Sequence, residues 1–558
     1  MSYSIMTTIF LTGGLAVVGE PEPIHIQVQN QVVGSIPHIH GTVNGPLLEK
    51  WWRPAEEACG NYPNWWSADF TERFKQVGIP AVRPHGAGSL DFNKIWKHWP
   101  DYSFDVHEEA NYDFEIADMF VHSTIGVTDI VARFGFSKGN LNEPSCAWAV
   151  PPPKEEFASI CANIVRHFNE GWAWNEKQWG PWHEGWKIDH WIVWNEPYYS
   201  INAEAWWTGT PTEYAELYEA IVTAVKNVDK SVQLGPCLNI SDFGDEFFER
   251  WSAFENPPPI DFVDVHLYGE SPLMFPWRVH EAPKTKDGNW NWEDYLESAG
   301  IPRETPLIIG EWNRKIPNYA TDAPGAAFVM CSLSLLADLA EETGLHNVKM
   351  AHLFSVGKIW QGSTNAPQNP VAGGGAAIHF YGEHLALASP NRLFVTSPEP
   401  DPTGKDKSIM TAIAGRSNTG QRITVVLSQY EPKIANQFGE AFTTSLEVEG
   451  LHGGNFQYAR VNTENPLNFA KGFAEGNTFG QEFEMVENSI ETLFIRYCPQ
   501  DVNDSGETDM TDLLTLIDQW RETEPLIEGD VNLDGTVGTL DLIEVIKGWG
   551  ACDLVNLE

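Results

Sequence analysis

The stretch Trp191-Ile192-Val193-Trp194-Asn195-Glu196-Pro197 reads as a buried β-strand that ends in a carboxylate. A second stretch, Pro306-Leu307-Ile308-Ile309-Gly310-Glu311-Trp312, repeats this arrangement further along the chain. Short, nearly continuous apolar runs of this kind are typical of strands that are buried on both faces of a parallel sheet. Glu196 and Glu311 are therefore predicted to lie at the carboxyl ends of two core strands.

Apolar runs of this type alternate with helical patterns between about residue 35 and residue 360. The predicted strands are 37–43, 80–85, 128–135, 190–195, 231–237, 260–268, 306–311 and 347–355. Eight strands with intervening helices predict a (β/α)₈ TIM barrel of α/β class, which we assign to residues 20–390. Functional groups of such barrels lie at the carboxyl ends of the strands, where Glu196 and Glu311 end strands four and seven.

Composition and charge limit the class of protein. With 558 residues and 42% apolar residues, the chain is expected to form one large domain with smaller appendages. Its formal charge of −42 argues against nucleic acid and anionic membrane surfaces, because phosphate groups bind clustered Lys and Arg. No apolar run after residue 19 approaches the roughly 20 residues that span a bilayer, so membrane insertion is not predicted.

The first 19 residues have two interpretations. Residues 4–18 have the length of a signal-peptide core but follow no Lys or Arg, so residues 1–19 are either an export signal or an N-terminal strand. After residue 390 the pattern changes to short alternating runs, such as 422–427 and 492–496, between turns rich in Gly and Asn. This pattern predicts an antiparallel β-sandwich over residues 391–497, which residues 22–30 could join.

The C-terminal tail contains an internal duplication with an offset of 29 residues. The sequence Asp501-x-Asn503-x-Ser505-Gly506 matches Asp530-x-Asn532-x-Asp534-Gly535, and Asp512 matches Asp541. Oxygen ligands at loop positions one, three, five and twelve, with Gly at six, suit the six to eight oxygens that Ca²⁺ requires. The predicted ligands are Asp501, Asn503, Ser505 and Asp512 in one loop and Asp530, Asn532, Asp534 and Asp541 in the other. Ser505 replaces a carboxylate, so the first site should be the weaker one.

Two loop-helix halves with Asp at position twelve resemble a type I dockerin, a module that binds a cohesin on a scaffold or cell surface. The resemblance implies that residues 498–558 form a dockerin, with calcium as cofactor, a cohesin-type partner and a secreted or cell-surface location. Met510 and Thr511 in one half, and Thr539 and Leu540 in the other, would then help to contact cohesin. Cys498 and Cys552 bracket the module, and we predict a disulfide because a small domain with little core gains from a covalent link.

Hydrolysis of a glycosidic bond typically requires two carboxyl groups. One protonates the leaving oxygen, while the other attacks the anomeric carbon or activates a water molecule that does so. The run 193–197, followed by Trp206-Trp207-Thr208-Gly209 and Tyr214-x-x-Leu217-Tyr218, resembles glycoside hydrolase family 39 of clan A, which includes β-xylosidases and α-L-iduronidases. Arg83-Pro84-His85-Gly86 and Val265-His266-Leu267-Tyr268 extend the resemblance, which covers about residues 35–390.

The resemblance implies a retaining mechanism with Glu196 as acid/base and Glu311 as nucleophile, and it requires carboxyl groups about 5 to 5.5 Å apart. It also implies that Asn195 binds the sugar 2-hydroxyl and that Arg83, His266 and Tyr268 lie near the nucleophile. The other predicted substrate-binding residues are His85, Trp207, Trp312, Trp360 and Lys358. A second Asn-Glu-Pro triplet, residues 142–144, lies in a predicted loop, so we interpret Glu143 as a rim residue or a chance match.

The sequence does not decide which substrate the protein binds or whether it is catalytically active. Loops on the predicted active face carry the cations Lys50, Arg53, Lys138, Arg278, Arg314, Lys315 and Lys358. This local excess favours a uronate- or sulfate-bearing glycan, whereas the family resemblance favours a β-xyloside-like one. The alternatives are a non-catalytic carbohydrate-binding or structural scaffold component, and an endo-acting clan A hydrolase of another family.

Overall fold

The structure is a computed structural model of the 558-residue chain. It describes residues 23–49, 67–85, 90–135, 139–140, 150–201, 204–205, 207–282, 291–315, 323–340, 343–344, 346–354, 356, 360, 375–398, 409–434, 437–464, 470–521, 529–532 and 536–552. Several sequence predictions fall outside the described residues: the segment 1–19, Lys50, Arg53, Lys138, Glu143, Trp206, Lys358 and Asp534.

Eight parallel strands form a closed barrel, as predicted. They are β1 (His40–Val43), β2 (Ala81–Arg83), β3 (Asp129–Phe134), β4 (His190–Val193), β5 (Gln233–Leu238), β6 (Val263–Gly269), β7 (Leu307–Arg314) and β8 (Val348–Leu353). Each strand pairs with its neighbour in sequence, and β8 pairs with β1 to close the barrel. The carboxyl ends of all eight strands therefore meet on one face.

Helices lie between the barrel strands. The α-helices of three residues or more in this region are Thr71–Val77, Phe92–Ile95, Glu115–Thr124, Lys154–Glu170, Glu176–Trp179, Pro211–Val228, Asp242–Ser252, Met274–Pro276, Trp292–Ser298, Ala323–Leu339 and Gly375–His379. Two π-helical segments, Trp277–Glu281 and Phe380–Leu387, extend helices. None of the helices in the described part of the chain has the length and apolar character needed to cross a membrane.

The helix Pro211–Val228 shows how local sequence fixes these elements. Thr210 accepts the backbone N–H of Glu213 through its hydroxyl, while the Glu213 carboxylate accepts the backbone N–H of Thr210, and proline occupies the first turn. Tyr214 and Tyr218 belong to a buried stripe that faces the barrel. The Tyr214 hydroxyl donates to the carbonyl oxygen of Val193 at 2.7 Å, which anchors this helix to the end of β4.

Nine strands form a second sheet. In spatial order they are Ala470–Glu475, Asn455–Asn462, Ile490–Arg496, Arg422–Tyr430, Ile409–Arg416, Asn391–Thr396, Ile24–Ser35, Ala441–Glu449 and Thr478–Val486. The sheet is antiparallel except where Ile24–Ser35 runs parallel to Ala441–Glu449. One face buries a separate apolar core that includes Val28, Val425 and Met485. The predicted accessory β-region is thus present, and a strand that precedes the barrel lies inside it.

The sheet packs against the barrel through the helix Ala323–Leu339. The Cys331 thiol donates to the hydroxyl of Ser428 at 3.3 Å, and that hydroxyl donates to the carbonyl oxygen of Ala327 at 3.1 Å. The rings of Phe328 and Tyr430 meet edge to face, with centroids 5.3 Å apart. Because these contacts are buried, the sheet and the barrel share a continuous core.

The C-terminal module contains the helices Met510–Asp518 and Thr539–Lys547 and a short antiparallel pair, Glu507–Thr508 with Gly550–Ala551. Its core consists of five buried side chains: Val502, Leu516, Val531, Val537 and Val545. Cys498 and Cys552 form a disulfide with Cα atoms 6.1 Å apart, which confirms the predicted link. So small a core explains why a covalent link is useful here.

Replacing both Cys498 and Cys552 with Ser should destabilise the C-terminal module. The disulfide closes a loop with a sequence separation of 54, and loss of such a link costs about 4 kcal/mol through the entropy of the unfolded chain. Urea unfolding of both proteins, followed by hydrogen exchange of the backbone amides of residues 498–552, measures the change. An unaltered unfolding midpoint, with the barrel transition as internal control, would contradict the prediction.

Candidate active site

Glu196 is presented by a strained turn at the end of β4. Trp194 and Glu196 have positive φ angles of 66° and 40°, a conformation that side chains other than Gly adopt at a cost of about 1 kcal/mol or more. Trp194 is buried, and its ring packs on Trp207 with centroids 5.1 Å apart. The backbone N–H of Glu196 donates to Sγ of Cys237 at 3.3 Å. Buried packing and this hydrogen bond hold the strained turn in place.

Glu311 lies within β7 and depends on the glycine before it. A Cβ atom at Gly310 would lie 2.0 Å from Oδ1 of Asp264 and 3.0 Å from Nε of Arg83. Because Gly310 has no side chain, both charged groups can lie inside the barrel directly beside Glu311. This explains the Gly-Glu pair at the end of the strand in steric terms.

Three side chains surround the Glu311 carboxylate. Arg83 Nη1 donates to Oε1 at 2.9 Å, and the Tyr268 hydroxyl donates to Oε2 at 2.8 Å. Nδ1 of His85 lies 3.6 Å from Oε1. A cation and a hydroxyl donor both favour the charged form of a carboxylate, so these contacts orient Glu311 and stabilise its negative charge.

Arg83 connects Glu311 to Asn195. Its Nη2 donates to Oδ1 of Asn195 at 2.7 Å and lies 3.6 Å from Oδ2 of Asp264. Burial lowers the pKa of Arg83, but the negative charges of Asp264 and Glu311 outweigh burial and the net shift is upward. The guanidinium is fully buried and permanently charged, so it fixes β4 and β7 to a common point.

His266 lies between the two glutamates. Its Nδ1 is 2.8 Å from Oε1 of Glu196 and 3.7 Å from Oε2 of Glu311, and its Nε2 is 3.4 Å from Oδ2 of Asp264. Burial lowers the pKa of His266, but the charges of Glu311, Cys237 and Asp264 more than offset burial and raise that pKa well above its usual value. In the pairing of β6 with β7, Val265 pairs with Ile309 and His266 with Glu311, so Gly310 is the extra residue of β7 and His266 lies beside Glu311.

The two predicted catalytic carboxylates converge. One carboxylate oxygen of Glu196, one of Glu311 and a ring nitrogen of His266 all lie within 4.8 Å of one another. The Glu196 side chain is 18% exposed and that of Glu311 is 6% exposed. The two groups therefore share one space but differ in their access to water.

Asn195 retains a donor that protein groups do not use. Its Oδ1 accepts a hydrogen bond from Arg83, which fixes the orientation of the amide. Its Nδ2 is buried and has no hydrogen-bond partner in the described part of the chain. Since buried polar atoms are nearly always paired, this N–H group is available to a ligand.

Two of the three tryptophans predicted to bind substrate are buried, and the third is half-buried. Trp207 is buried, and its indole N–H donates to the carbonyl oxygen of Thr210 at 3.2 Å. Trp312 is fully buried with its ring edge-on to Phe275. The ring of half-buried Trp360 packs near Phe70, with centroids 5.4 Å apart. The structure thus brings His85, Arg83, Asn195, His266 and Tyr268 to the two glutamates, while Trp207 and Trp312 support the walls without an exposed ring face.

Two residues of the site were missed from sequence. Asp264 is fully buried; burial raises its pKa, but Arg83 and His266 more than offset this and hold that pKa below its usual value. Cys237, at the end of β5, accepts the N–H of Glu196 and lies 3.9 Å from Nε2 of His266. An acid two residues before His266 in an apolar strand faces the same side, and this period of two was the available signal.

The cations of the active face differ in their surroundings. The Arg278 guanidinium stacks on the ring of Trp277 at 4.8 Å from its centroid. Arg314 is buried and lowers the pKa of Tyr430, which burial raises to a net value of about 12. Lys315 is exposed. Arg314 therefore belongs to the contact with the second sheet, whereas Arg278 and Lys315 lie nearer to solvent.

The two predicted calcium loops have matching hydrogen bonds. Asp512 accepts the backbone N–H groups of Asn503 and Asp509 at 3.0 and 2.7 Å. Asp541 accepts those of Asn532 and Gly538 at 3.0 and 2.8 Å. Because these pairs occupy equivalent positions 29 residues apart, the duplication seen in the sequence is also a duplication of conformation.

The donor sets of the loops fit Ca²⁺. Asp501, Asp512, Asp530 and Asp541 are all buried. Burial raises the pKa of Asp501, and the charges of Asp512 and Asp504 add to that effect. Asp530 also lies 3.6 Å from Nζ of Lys471. Carboxylate and amide oxygens in this arrangement suit a hard divalent ion. Ser505 donates to the carbonyl oxygen of Glu507 at 3.0 Å, in keeping with a weaker first loop.

Residues 499–550 match the family model of the dockerin type I domain. This match covers the two loops and both helices of the C-terminal module. The resemblance of the tail to a type I dockerin is thereby confirmed. Calcium binding is a property implied by this domain and agrees with the donor sets described above.

Two curated relatives are β-xylosidases. One, from Geobacillus stearothermophilus, is 28% identical over 206 residues, which are 35% of this chain and 37% of the relative. The other, from Caldicellulosiruptor saccharolyticus, is 30% identical over 203 residues, which are 34% of this chain and 38% of the relative. The alignments therefore span well under half the length of either relative.

Solved structures share the fold over most of the chain. A glucosidase from Croceicoccus marinus has a TM-score of 0.62 at 19% identity, covering 85% of this chain and 99% of its own. A glycoside hydrolase family 39 enzyme from Xanthomonas axonopodis pv. citri has a TM-score of 0.54 at 12% identity, covering 87% and 100%. At these identities the likeness concerns the fold; together with the β-xylosidase relatives, it supports the resemblance of the barrel to family 39.

Replacing Gly310 with Ala should destabilise the barrel by about 1 to 3 kcal/mol, because the new methyl group would overlap Asp264 and press on Arg83. Gly480→Ala is the matched control: it also lies in a strand, and a Cβ there meets nothing within 4 Å. Urea unfolding of both variants measures the difference. Equal stability of the two variants would contradict the steric account of Gly310.

Proposed function

We propose that this protein is a retaining glycoside hydrolase that cleaves β-xyloside-like bonds by double displacement and is tethered to a scaffold through its dockerin. The observation that carries the proposal is the convergence of Glu196 and Glu311, with carboxylate oxygens within 4.8 Å, in unlike environments. Inverting enzymes separate their carboxyl groups by about 6.5 to 9.5 Å to admit water, whereas retaining ones keep them about 5 to 5.5 Å apart. The short separation therefore supports retention.

Glu311 is the proposed nucleophile. Arg83 and Tyr268 bind its two oxygens and favour the ionised form, which must attack the anomeric carbon. In the first step, a Glu311 oxygen forms a bond to this carbon while the bond to the leaving oxygen breaks. In the second step, a water oxygen replaces Glu311 at the same carbon and the carboxylate is released.

Glu196 is the proposed acid/base. It donates a proton to the leaving oxygen in the first step and accepts one from the attacking water in the second. Its greater exposure supports this role, because the leaving group and then the attacking water must both reach it. The proton that Glu196 gives up in the first step is replaced by the one that it takes from water in the second. Nδ1 of His266 lies 2.8 Å from Oε1 of Glu196 and stabilises the carboxylate that forms when Glu196 donates its proton to the leaving oxygen.

The Asn195 side chain and the two curated relatives indicate which sugar the site would bind. The unpaired Nδ2 of Asn195, adjacent to Glu196, suits a hydrogen bond to the sugar 2-hydroxyl. The two curated relatives are β-xylosidases, which favours a xyloside-like sugar. A uronate- or sulfate-bearing glycan is the second candidate, and Arg278, which stacks on Trp277 after β6, is the cation whose contribution can be tested. Comparing neutral with acidic xylo-oligosaccharides in wild type and in Arg278→Met decides between them.

Glu311→Gln should reduce turnover of aryl β-xylosides at least about 10³-fold, because an amide cannot serve as the nucleophile. Glu196→Gln should reduce turnover about 10² to 10⁴-fold for poor leaving groups and much less for nitrophenolate, which leaves without a proton. Initial rates and circular dichroism of the purified variants are the measurements. Glu184→Gln, with an 84% exposed side chain, is the matched control.

Unchanged turnover in both variants would contradict the roles proposed for Glu196 and Glu311, whereas a wild type without turnover would contradict the hydrolase proposal and favour a non-catalytic carbohydrate-binding component. The anomer that NMR detects first in the product tests the mechanism separately. Release of the α-anomer from a β-xyloside would contradict retention while leaving hydrolysis intact. Product lengths from a xylo-oligosaccharide ladder distinguish release of end sugars from internal cleavage.

The proposed partner is a cohesin, which would place the protein outside the cell. The two helices of the dockerin expose apolar side chains at helical spacing: Met510, Leu514 and Ile517 on one, and Leu540, Ile543 and Ile546 on the other. Adjacent apolar side chains that face water mark an interaction surface. Since each helix follows a calcium loop, calcium should control the presentation of this surface.

Chelation of calcium should abolish binding to an immobilised type I cohesin, because the buried carboxylates would then repel one another and the loops would lose their form. Asp541→Asn should weaken binding in limiting calcium, whereas Glu482→Gln, at an exposed acid of the nine-stranded sheet, should not. Surface plasmon resonance at stepped calcium concentrations measures both. Binding that persists in excess EGTA would contradict the calcium dependence.

A further inference from the structure

A buried cluster of two histidines and a glutamate lies outside the proposed active site. The helix Gly375–His379 continues as the π-helix Phe380–Leu387, a rare form that often marks functional positions. A π-helix has more than four residues per turn, so residues i, i+4 and i+5 fall on one face. His379, Glu383 and His384 have this spacing, and the unusual helix therefore brings all three side chains together.

The three side chains converge at metal-binding distances. A ligand atom from each of His379, Glu383 and His384 lies within 4.8 Å of the other two. Nδ1 of His379 lies 2.9 Å from Oε2 of Glu383, yet this buried nitrogen makes no hydrogen bond within the described residues. The two imidazole rings are 4.8 Å apart at 80°.

The chemistry of the donors suits a transition metal. Both histidines are buried, and Nδ1 of His379 has no hydrogen-bond partner within the described residues, so this nitrogen is available as a ligand. Two imidazole nitrogens and one carboxylate oxygen suit Zn²⁺ better than they suit Ca²⁺ or Mg²⁺, which prefer oxygen ligands alone.

The cluster lies at the junction between the barrel and the second sheet. Gly382 packs against His40 in β1 and the backbone of Val77, and Tyr381 donates to the carbonyl oxygen of Pro37 at 2.9 Å. These contacts lie before or at the start of β1, on the face opposite Glu196 and Glu311. The ring of His384 also meets Phe494 of the sheet, with centroids 4.9 Å apart. Groups on this face of a barrel serve stability rather than chemistry.

We propose that His379, Glu383 and His384, which lie on one continuous helical segment, bind a zinc-class divalent metal at the junction between the barrel and the sheet. The site is independent of the hydrolase and of the calcium loops. In the alternative interpretation, the three residues form a buried polar cluster that needs no ion. The two interpretations differ in whether an added metal binds and stabilises the protein.

Titration of the full chain with Zn²⁺, in millimolar calcium to keep the dockerin loops filled, tests the proposal. Wild type should bind one equivalent more than Glu383→Gln, or bind it at least about 100-fold more tightly, because loss of a direct ligand exceeds the 10 to 100-fold typical of supporting residues. Zinc should raise the melting temperature of wild type but not of this isosteric variant. Co²⁺ should give a visible absorption band in wild type only.

Two further variants keep the test decisive. His379→Ala removes a second ligand, whereas His384 packs on Phe494 and is left intact to preserve folding. His107→Ala, an exposed histidine, is the control and should bind zinc like wild type. All variants keep the same active site, so zinc bound at Glu196, His266 or Glu311 cancels in the comparison. Equal zinc binding and equal thermal shifts in wild type and Glu383→Gln would overturn the proposal.

Discussion

The guanidinium group of Arg83 is the point on which the site depends. It is fully buried, and it contacts Glu311 in β7 and Asn195 at the end of β4 while lying near Asp264 and His266 in β6. A buried charge is tolerated only where several partners compensate for lost hydration. Three strands from distant parts of the sequence must therefore be in register before Arg83 is satisfied. The barrel and the charge network stabilise each other for this reason.

This network carries opposite charges in close alternation. Arg83 and His266 are positive or readily protonated, whereas Asp264, Glu196 and Glu311 are acids. Inside a water-poor barrel, such groups interact strongly and keep fixed positions. The positions of these groups are therefore fixed before a ligand binds. Of the two glutamates, Glu196 has the greater access to water. In the proposed hydrolase, preorganised charge of this kind would stabilise the charge that develops in the transition state.

Much of this arrangement could be predicted from sequence, and the reasons for the gaps are physical. The strands that end in Glu196 and Glu311 carry their signal locally, as do the two calcium loops, whose spacing repeats. Asp264 and Cys237 were missed because their roles arise only from neighbours on other strands. Trp207 was placed at the substrate because it follows a strand, but its ring turns inward to pack on Trp194. Direction of a side chain depends on loop geometry, which residue order alone does not reveal.

The strand Ile24–Ser35 occupies an interior position of the nine-stranded sheet, between Asn391–Thr396 and Ala441–Glu449. During synthesis, its two neighbours emerge only after the whole barrel has been translated. The sheet can therefore close only after the barrel strands have been made, and it joins a strand that precedes the barrel to strands that follow it. An engineer who excised residues 391–497 as a transplantable cassette would obtain two disconnected groups of strands, with a gap where the early strand belongs.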